Sequence, residues 1–181
     1  MLIALIPFSI IFIYINGQKK LASAMQPVPL NDFLEQYNEV YKSINRISGS
    51  ALFLARDFRR LPPYIPRIMF TNNIIYDDNI IVSIIRTEQP FGVTWGVTRE
   101  IAQGLSLFEI YLGYMEIVDI GAILKEAEIE EKTIFYGMED IVTIHPVWRI
   151  FAAIKRLSPA LVQFYKLPSD KIHGVLTRVE L

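Results

Sequence analysis

Ile80-Ile81-Val82-Ser83-Ile84-Ile85 is the stretch that decides the fold class. An unbroken β-branched run this short reads as a strand covered on both faces, as in a largely parallel sheet. Upstream, Ser50–Ala55 (SALFLA), preceded by Gly49, reads as a second buried strand. Between the two, Pro62, Pro63 and Pro66 punctuate a helix start. Ile68, Met69 and Phe70 continue that helix, and Asn72-Asn73 provides its stop. Downstream, Phe91, Val93, Trp95 and Val97 alternate with Gly92, Thr94, Gly96 and Thr98, the signature of a half-buried strand. After a turn near Gly104, Leu105–Met115 reads as another strand, so the pair should form a hairpin. The aromatics Trp95, Tyr111 and Tyr114 are expected in the sheet core.

Asp119 can cap the next helix, whose inward positions are Ile120, Ile123, Leu124 and Ala127. Glu126, Glu128, Glu130 and Glu131 crowd its end. Acid at a helix C-terminus is unfavourable, so this helix should stop early. Thr133–Gly137 reads as a strand, and Met138-Glu139-Asp140 as the loop at its end. Pro146 opens a helix with Trp148, Phe151, Ile154 and Leu157 on one side. Pro159 should interrupt it, with Leu161, Phe164 and Tyr165 continuing the apolar face. Val175, Thr177, Val179 and Leu181 form a last strand. The expected architecture is α/β, with a mixed sheet of about five or six strands and helices packed against it. The pattern does not order the strands.

The 181-residue chain carries 18 Lys+Arg and 19 Asp+Glu, a formal net charge of −1. No overall basic field points to nucleic acid. Without cysteine, disulfide frameworks, thiolate zinc sites and cysteine nucleophiles are excluded. Two histidines leave little for a metal site. Hydrophobic residues make up 52% of the chain, high for a soluble domain.

Much of that excess lies in residues 1–18 (MLIALIPFSIIFIYINGQ), which carry no charge and are followed at once by Lys19-Lys20. Residues 1–16 as a helix reach about 24 Å, short of the roughly 30 Å hydrocarbon core. Three readings compete. Ala22-Ser23-Ala24 resembles a signal-peptide cleavage site, although no basic residue precedes the apolar run. A buried helix of a soluble core suits so short a run. The third reading is the C-terminal part of a longer transmembrane helix, with Lys19-Lys20 at its cytoplasmic end. The division expected on the third reading is a partial transmembrane helix over 1–18, a connector with an amphipathic helix over 19–46, and a cytosolic α/β domain over 47–181. Within the connector, Pro27 and Pro29 stiffen the chain and Asn31 suits an N-cap. Phe33, Leu34, Tyr37, Val40 and Tyr41 follow at helical spacing. That helix reads as docking on the domain, with a partner-binding helix as the sharper alternative.

Searches for phosphate-loop, dinucleotide, nucleophile-elbow and zinc-protease motifs find none. His145 and His173 each have acids nearby in sequence, Glu139-Asp140 and Asp170, but such pairs are common by chance. Arg56, Arg59 and Arg60 form a cationic cluster after the first predicted strand, where α/β folds tend to bind ligands. The plainer reading is a solvated loop, or a surface facing anionic lipid headgroups.

In order, these segments resemble the C-terminal end of a KUP-type potassium uptake transporter. The features are an apolar helix ending in a basic pair (Ile11–Ile15, Lys19-Lys20), then Pro29-Leu30 and Phe33-Leu34, then Arg46-Ile47-Ser48-Gly49-Ser50-Ala51-Leu52-Phe53-Leu54. Pro62-Pro63 through Asn72, Leu112-Gly113-Tyr114-Met115-Glu116 and Phe135-Tyr136-Gly137-Met138-Glu139 follow. Phe164-Tyr165-Lys166-Leu167-Pro168 and Val179-Glu180-Leu181 close the series. Met138 stands where the family has a basic residue, and His173-Gly174 replaces a glutamate-leucine-glycine. The resemblance implies the cytosolic C-terminal domain of a plasma-membrane K⁺ transporter, coupled to protons, with a structural and regulatory role and no catalysis or cofactor. Its partners would be the membrane and the transporter's remaining helices, which lie outside this chain and hold its ion and proton-coupling residues. Self-association as a homodimer and a cyclic dinucleotide are the expected regulatory inputs, with Arg56, Arg59 and Arg60 as the anion contacts. The alternative is a free-standing, membrane-anchored α/β ligand-binding module. A small hydrolase or transferase would instead need a polar pocket around His145 or His173.

Overall fold

The computed structural model describes residues 2–157, 167–168 and 170–181. Helix α1 (Leu2–Ala24) leads into a two-residue strand β1 (Val28–Pro29) and helix α2 (Leu30–Ser43). Strand β2 (Ile47–Ala55) is followed by β3 (Arg60–Leu61), helix α3 (Tyr64–Pro66) and a π-type turn, Arg67–Thr71. Then come β4 (Tyr76–Thr87), β5 (Val93–Ala102), β6 (Leu105–Gly113) and α4 (Ile120–Glu126). Strand β7 (Glu131–Val142), α5 (Pro146–Leu157) and β8 (Ile172–Glu180) follow.

Six strands form one mixed sheet in the order β5-β6-β4-β2-β7-β8. All neighbours are parallel except β5 and β6, which make the expected antiparallel hairpin. Gly104 turns that hairpin at φ +65°, a conformation that suits glycine. β1 and β3 pair separately.

Alternation along the central strands divides the core between two faces. Phe53, Ile81, Leu107 and Phe135 pack under α2, α3 and the π-type turn. Leu52, Val82, Phe108 and Ile134 pack with Ile120, Ile123 and Leu124 of α4 on the other face. Asp119 caps α4, accepting from the Ala122 N–H at 3.0 Å, and the helix ends at Glu126 as its acidic tail predicts.

Helix α2 docks on the domain, with Phe33, Tyr37 and Tyr41 buried. Tyr37 Oη lies 3.0 Å from the Gly104 carbonyl and accepts from buried Asn79 Nδ2 at 3.1 Å. Tyr41 Oη donates to the Asp77 carbonyl at 2.9 Å. These bonds tie the connector helix to the start of β4 and the β5–β6 turn. Burial pushes the Tyr37 hydroxyl above the ordinary tyrosine range, so it stays neutral as a hydrogen-bonding group.

Several expectations need correction. Helix α1 continues past Lys19-Lys20 because Leu21 is buried beside Phe151 and Val179, which rewards another turn. No helix among the described residues is long and apolar enough to cross a membrane. Within the apolar run of α1, Ile6, Phe8, Ile11 and Phe12 nevertheless lie outside any core: Phe8 is 67% and Phe12 60% exposed. Asn31 lies inside α2 rather than at its cap. Pro29, held by pairing with Arg60, precedes the helix directly and gives no side-chain cap. Met138-Glu139-Asp140 is not a loop but belongs to the second half of β7, because β8 continues to pair through Val142. In α5 it is Phe151 and Ala152 that are buried, whereas Leu157 is 85% exposed. Tyr111 and Tyr114 are exposed, and Trp95 is half-buried against Phe108. Pro159, Leu161, Phe164 and Tyr165 lie outside the described residues.

Candidate functional site

The strand order locates where an α/β sheet of this kind would bind a ligand. The chain winds outward from β2 to β4 and β6, then returns to the other side of β2 for β7 and β8. The reversal falls between β2 and β7, and a crevice opens at the carboxyl ends of strands at such a point.

Here the protein fills that crevice with its own side chain. Tyr64, at the start of α3, is 2% exposed. Its hydroxyl lies 2.6 Å from the Leu54 carbonyl of β2 and 3.1 Å from the Phe135 carbonyl of β7. One phenolic proton thus serves two carbonyls just where the strands cease to pair. Burial raises the Tyr64 hydroxyl well above its usual range, keeping it a neutral donor. Gly137 makes the room: a Cβ there would lie 2.7 Å from Tyr64 Cδ1. Proline-proline before Tyr64 signalled a helix start, but nothing local in sequence pointed to the strands that it would bridge.

Beside this plug lies an open groove of about 410 Å³. One wall is the loop after β2, with Arg56, Asp57, Phe58 and Arg59. The floor is Ser83 and Ile85 of β4 with Glu109 and Tyr111 of β6, which register sets side by side. The crossover from β4 to β6 is made by strand β5, and among the described residues no helix covers this half of the sheet face. Asp57 Oδ1 accepts from the Arg59 N–H at 2.9 Å, shaping the loop. The Arg59 guanidinium sits 5.9 Å from the Phe58 ring. Among the described residues, Arg56, Arg59 and Arg60 form no ion pair. Tyr111 titrates above the ordinary tyrosine range, through desolvation and the nearby Glu109 carboxylate.

The structure therefore brings Arg56 and Arg59 together and separates Arg60. Arg60 belongs to β3, paired with Pro29, and does not line the groove. Asp57 and Glu109 balance the two arginines, so the groove has mixed charge. Sequence reasoning missed Ser83, Glu109 and Tyr111 as floor residues. The alternation of Glu109 and Tyr111 with Ile110 and Leu112 was a legible sign that one face of β6 meets water.

Elsewhere the site chemistry is sparse. A larger hollow of about 1080 Å³ lies at the opposite, amino end of the strands, between α4 and the starts of β2 and β7. Its Lys171 is paired with Glu131 at 3.1 Å, and its Lys132 donates to the Ser48 carbonyl at 3.2 Å. His145 and His173 are both exposed, and His173 stacks obliquely on Phe135 at 5.7 Å. No group of metal-ligating side chains occurs among the described residues.

The class defined by this fold is an α/β domain with a doubly wound core, a self-filled switch point and an apolar helix at its start. Residues 48–181 match the K⁺ potassium transporter C-terminal domain, and the chain belongs to that family. It is 58% identical over 99% of its length to a probable potassium transport system protein Kup of Methanosarcina acetivorans. It is 54% identical over 99% to that of Methanosarcina barkeri and 49% over 100% to that of Methanospirillum hungatei. The chain spans 30% of the length of each of these relatives. No solved structure matches it.

Proposed function

We propose that this chain acts as the cytosolic C-terminal region of a K⁺ uptake transporter in the plasma membrane, driven by proton symport, and that it is regulatory rather than catalytic. The observation that carries this reading is the division of α1. Its first half exposes Ile6, Phe8, Ile11 and Phe12, a surface suited to lipid or to other transmembrane helices. Its second half is clasped by the domain: Gly17 abuts Phe151, Tyr14 meets the same ring at 6.1 Å, and Leu21 is buried. On this reading α1 is the end of a transmembrane helix begun outside these residues. A rigid joint of this kind passes a change in the domain to the membrane part.

A domain with one such helix encloses no ion pathway, so its influence must come from binding something differently in two transporter states. We place that input in the groove at Arg56 and Arg59. Its mixed charge suits a ligand carrying both anionic groups and hydrogen-bond donors, such as a cyclic dinucleotide: phosphate to the arginines, amine to Glu109. Arg60 contributes longer-range charge, and self-association as a homodimer is a second input. Calorimetry of the chain with cyclic di-AMP tests the groove. Binding heat that disappears in Arg56→Ala/Arg59→Ala is expected, and absence of heat with the unaltered chain ends the ligand proposal. For transport, the gene product carrying this region should restore growth on low K⁺ to cells lacking K⁺ uptake. Failure of an expressed, membrane-inserted product to do so ends the transporter reading.

A further inference from the structure

Helix α5 carries an apolar face that the domain does not use. Its inner side is Phe151 and Ala152. Ile150 and Leu157 are turned away from them by helical periodicity and Val147 lies at the edge of the inner side, exposed by 47%, 85% and 49%. Ile144, just before the helix, is as open as Leu157. A stripe of this kind left in water gains nothing for the fold and marks a contact surface.

The neighbouring charges and the position of α5 indicate what covers it. Arg149 lies beside the stripe on α5, and Lys19 and Lys20 lie on the adjoining helix. Among the described residues, none of the three has an acidic partner. Lys20 Nζ sits 4.8 Å from the centre of the Trp148 ring, joining the two helices. The acids of β7 nearby are already engaged: Glu139 with Lys155 at 3.7 Å, and Asp140 with Arg178 at 3.4 Å. α5 meets α1 around Tyr14 and Gly17, at the end of the apolar run and just before its basic pair. If α1 enters a bilayer, that is the depth of the headgroups. Apolar stripe, flanking cations and an indole at one level are the composition of a helix lying in a membrane interface.

We infer that α5 is an interfacial helix that rests Ile144, Val147, Ile150 and Leu157 on an anionic lipid surface beside α1. This rests on the reading of α1 as a membrane helix and adds a second, lateral contact. Two contacts fix the tilt of the sheet against the bilayer, which one helix alone would leave free to rotate.

The chain has no cysteine, so single labels are unambiguous. Val147→Cys, Ile150→Cys, Phe8→Cys and Asp78→Cys variants would carry an environment-sensitive fluorophore. Each would be reconstituted in phosphatidylcholine–phosphatidylglycerol vesicles and exposed to nitroxide lipids or aqueous iodide. Labels at 147 and 150 should be blue-shifted and quenched by nitroxide near the headgroups, at 8 by nitroxide deep in the chains, and at exposed Asp78 by iodide alone. Iodide quenching at 147 and 150 with lipid quenching kept at 8 overturns the interfacial helix and spares the insertion of α1. Shielding of 147 and 150 from both quenchers means that protein, such as a second copy, covers the stripe, and also overturns it. Iodide quenching at position 8 overturns the insertion of α1, and lipid quenching at 147 and 150 in that case leaves α5 as the sole lipid contact.

Discussion

Gly137→Ala tests whether Tyr64 is a plug held in a fitted slot. In a strand, alanine for glycine ordinarily stabilises by about 0.5–1 kcal/mol, because less backbone entropy is lost on folding. Here the new Cβ would lie 2.7 Å from Tyr64 Cδ1, well inside van der Waals contact. Tyr64 is fully enclosed and its hydroxyl is tied to two carbonyls, so the ring cannot step aside without loosening a bond. Overpacking of this kind costs about 1–3 kcal/mol, and a weakened buried hydrogen bond about 0.5–1.5 kcal/mol more. The net expectation is a loss of about 2 kcal/mol. With a urea dependence of about 2 kcal/mol per molar, the unfolding midpoint should fall by about 1 M at unchanged slope. The sign carries the test, since the two arguments predict opposite directions. Repeating the substitution on a Tyr64→Ala background removes the ring, and there Gly137→Ala should become neutral or stabilising. A Gly137→Ala protein more stable than the parent, or an equal loss in both backgrounds, would refute the account of the filled crevice.

Other outcomes follow from the same geometry. Tyr64 and Tyr37 both have raised pKa values in the fold, so above pH ~10 the unfolded chain releases protons that the folded one keeps, and stability falls with rising pH. Tyr64→Phe should be less stable at neutral pH yet lose stability less steeply in alkali, read from urea midpoints across pH. Asp119→Ala removes the cap of α4 and should cost about 1 kcal/mol by the same measurement. Gly104→Ala forces a side chain into φ +65° and toward the Asp77 carbonyl at 2.5 Å, so it should destabilise and free α2, seen as faster hydrogen exchange in residues 30–43. Gly17→Leu drives a side chain into the Phe151 ring and should separate α1 from α5 while exchange in β2 and β4 stays slow.

What the sequence determined by itself is local. Unbroken β-branched runs marked strands inside the sheet because their alternate residues must each be covered. Helical spacing of Phe33, Tyr37 and Tyr41 foretold a docked α2, and Asp119 foretold a cap, because these depend on neighbours within a turn or two. The arginine cluster was legible as charge following a strand. Only the tertiary structure decided which arginines line the groove, because Arg60 is drawn into β3 by Pro29, far away in sequence. It decided the groove floor through the register of β4 with β6, and its openness through a crossover made by a strand. It extended β7 through Met138-Glu139-Asp140 because β8 supplies a pairing partner that no local pattern could announce. The closed switch point likewise required strand order, since Tyr64, Leu54, Phe135 and Gly137 meet only after β2 and β7 become neighbours. Long-range pairing is a property of the assembled sheet, and residue patterns report only the surroundings each segment will need.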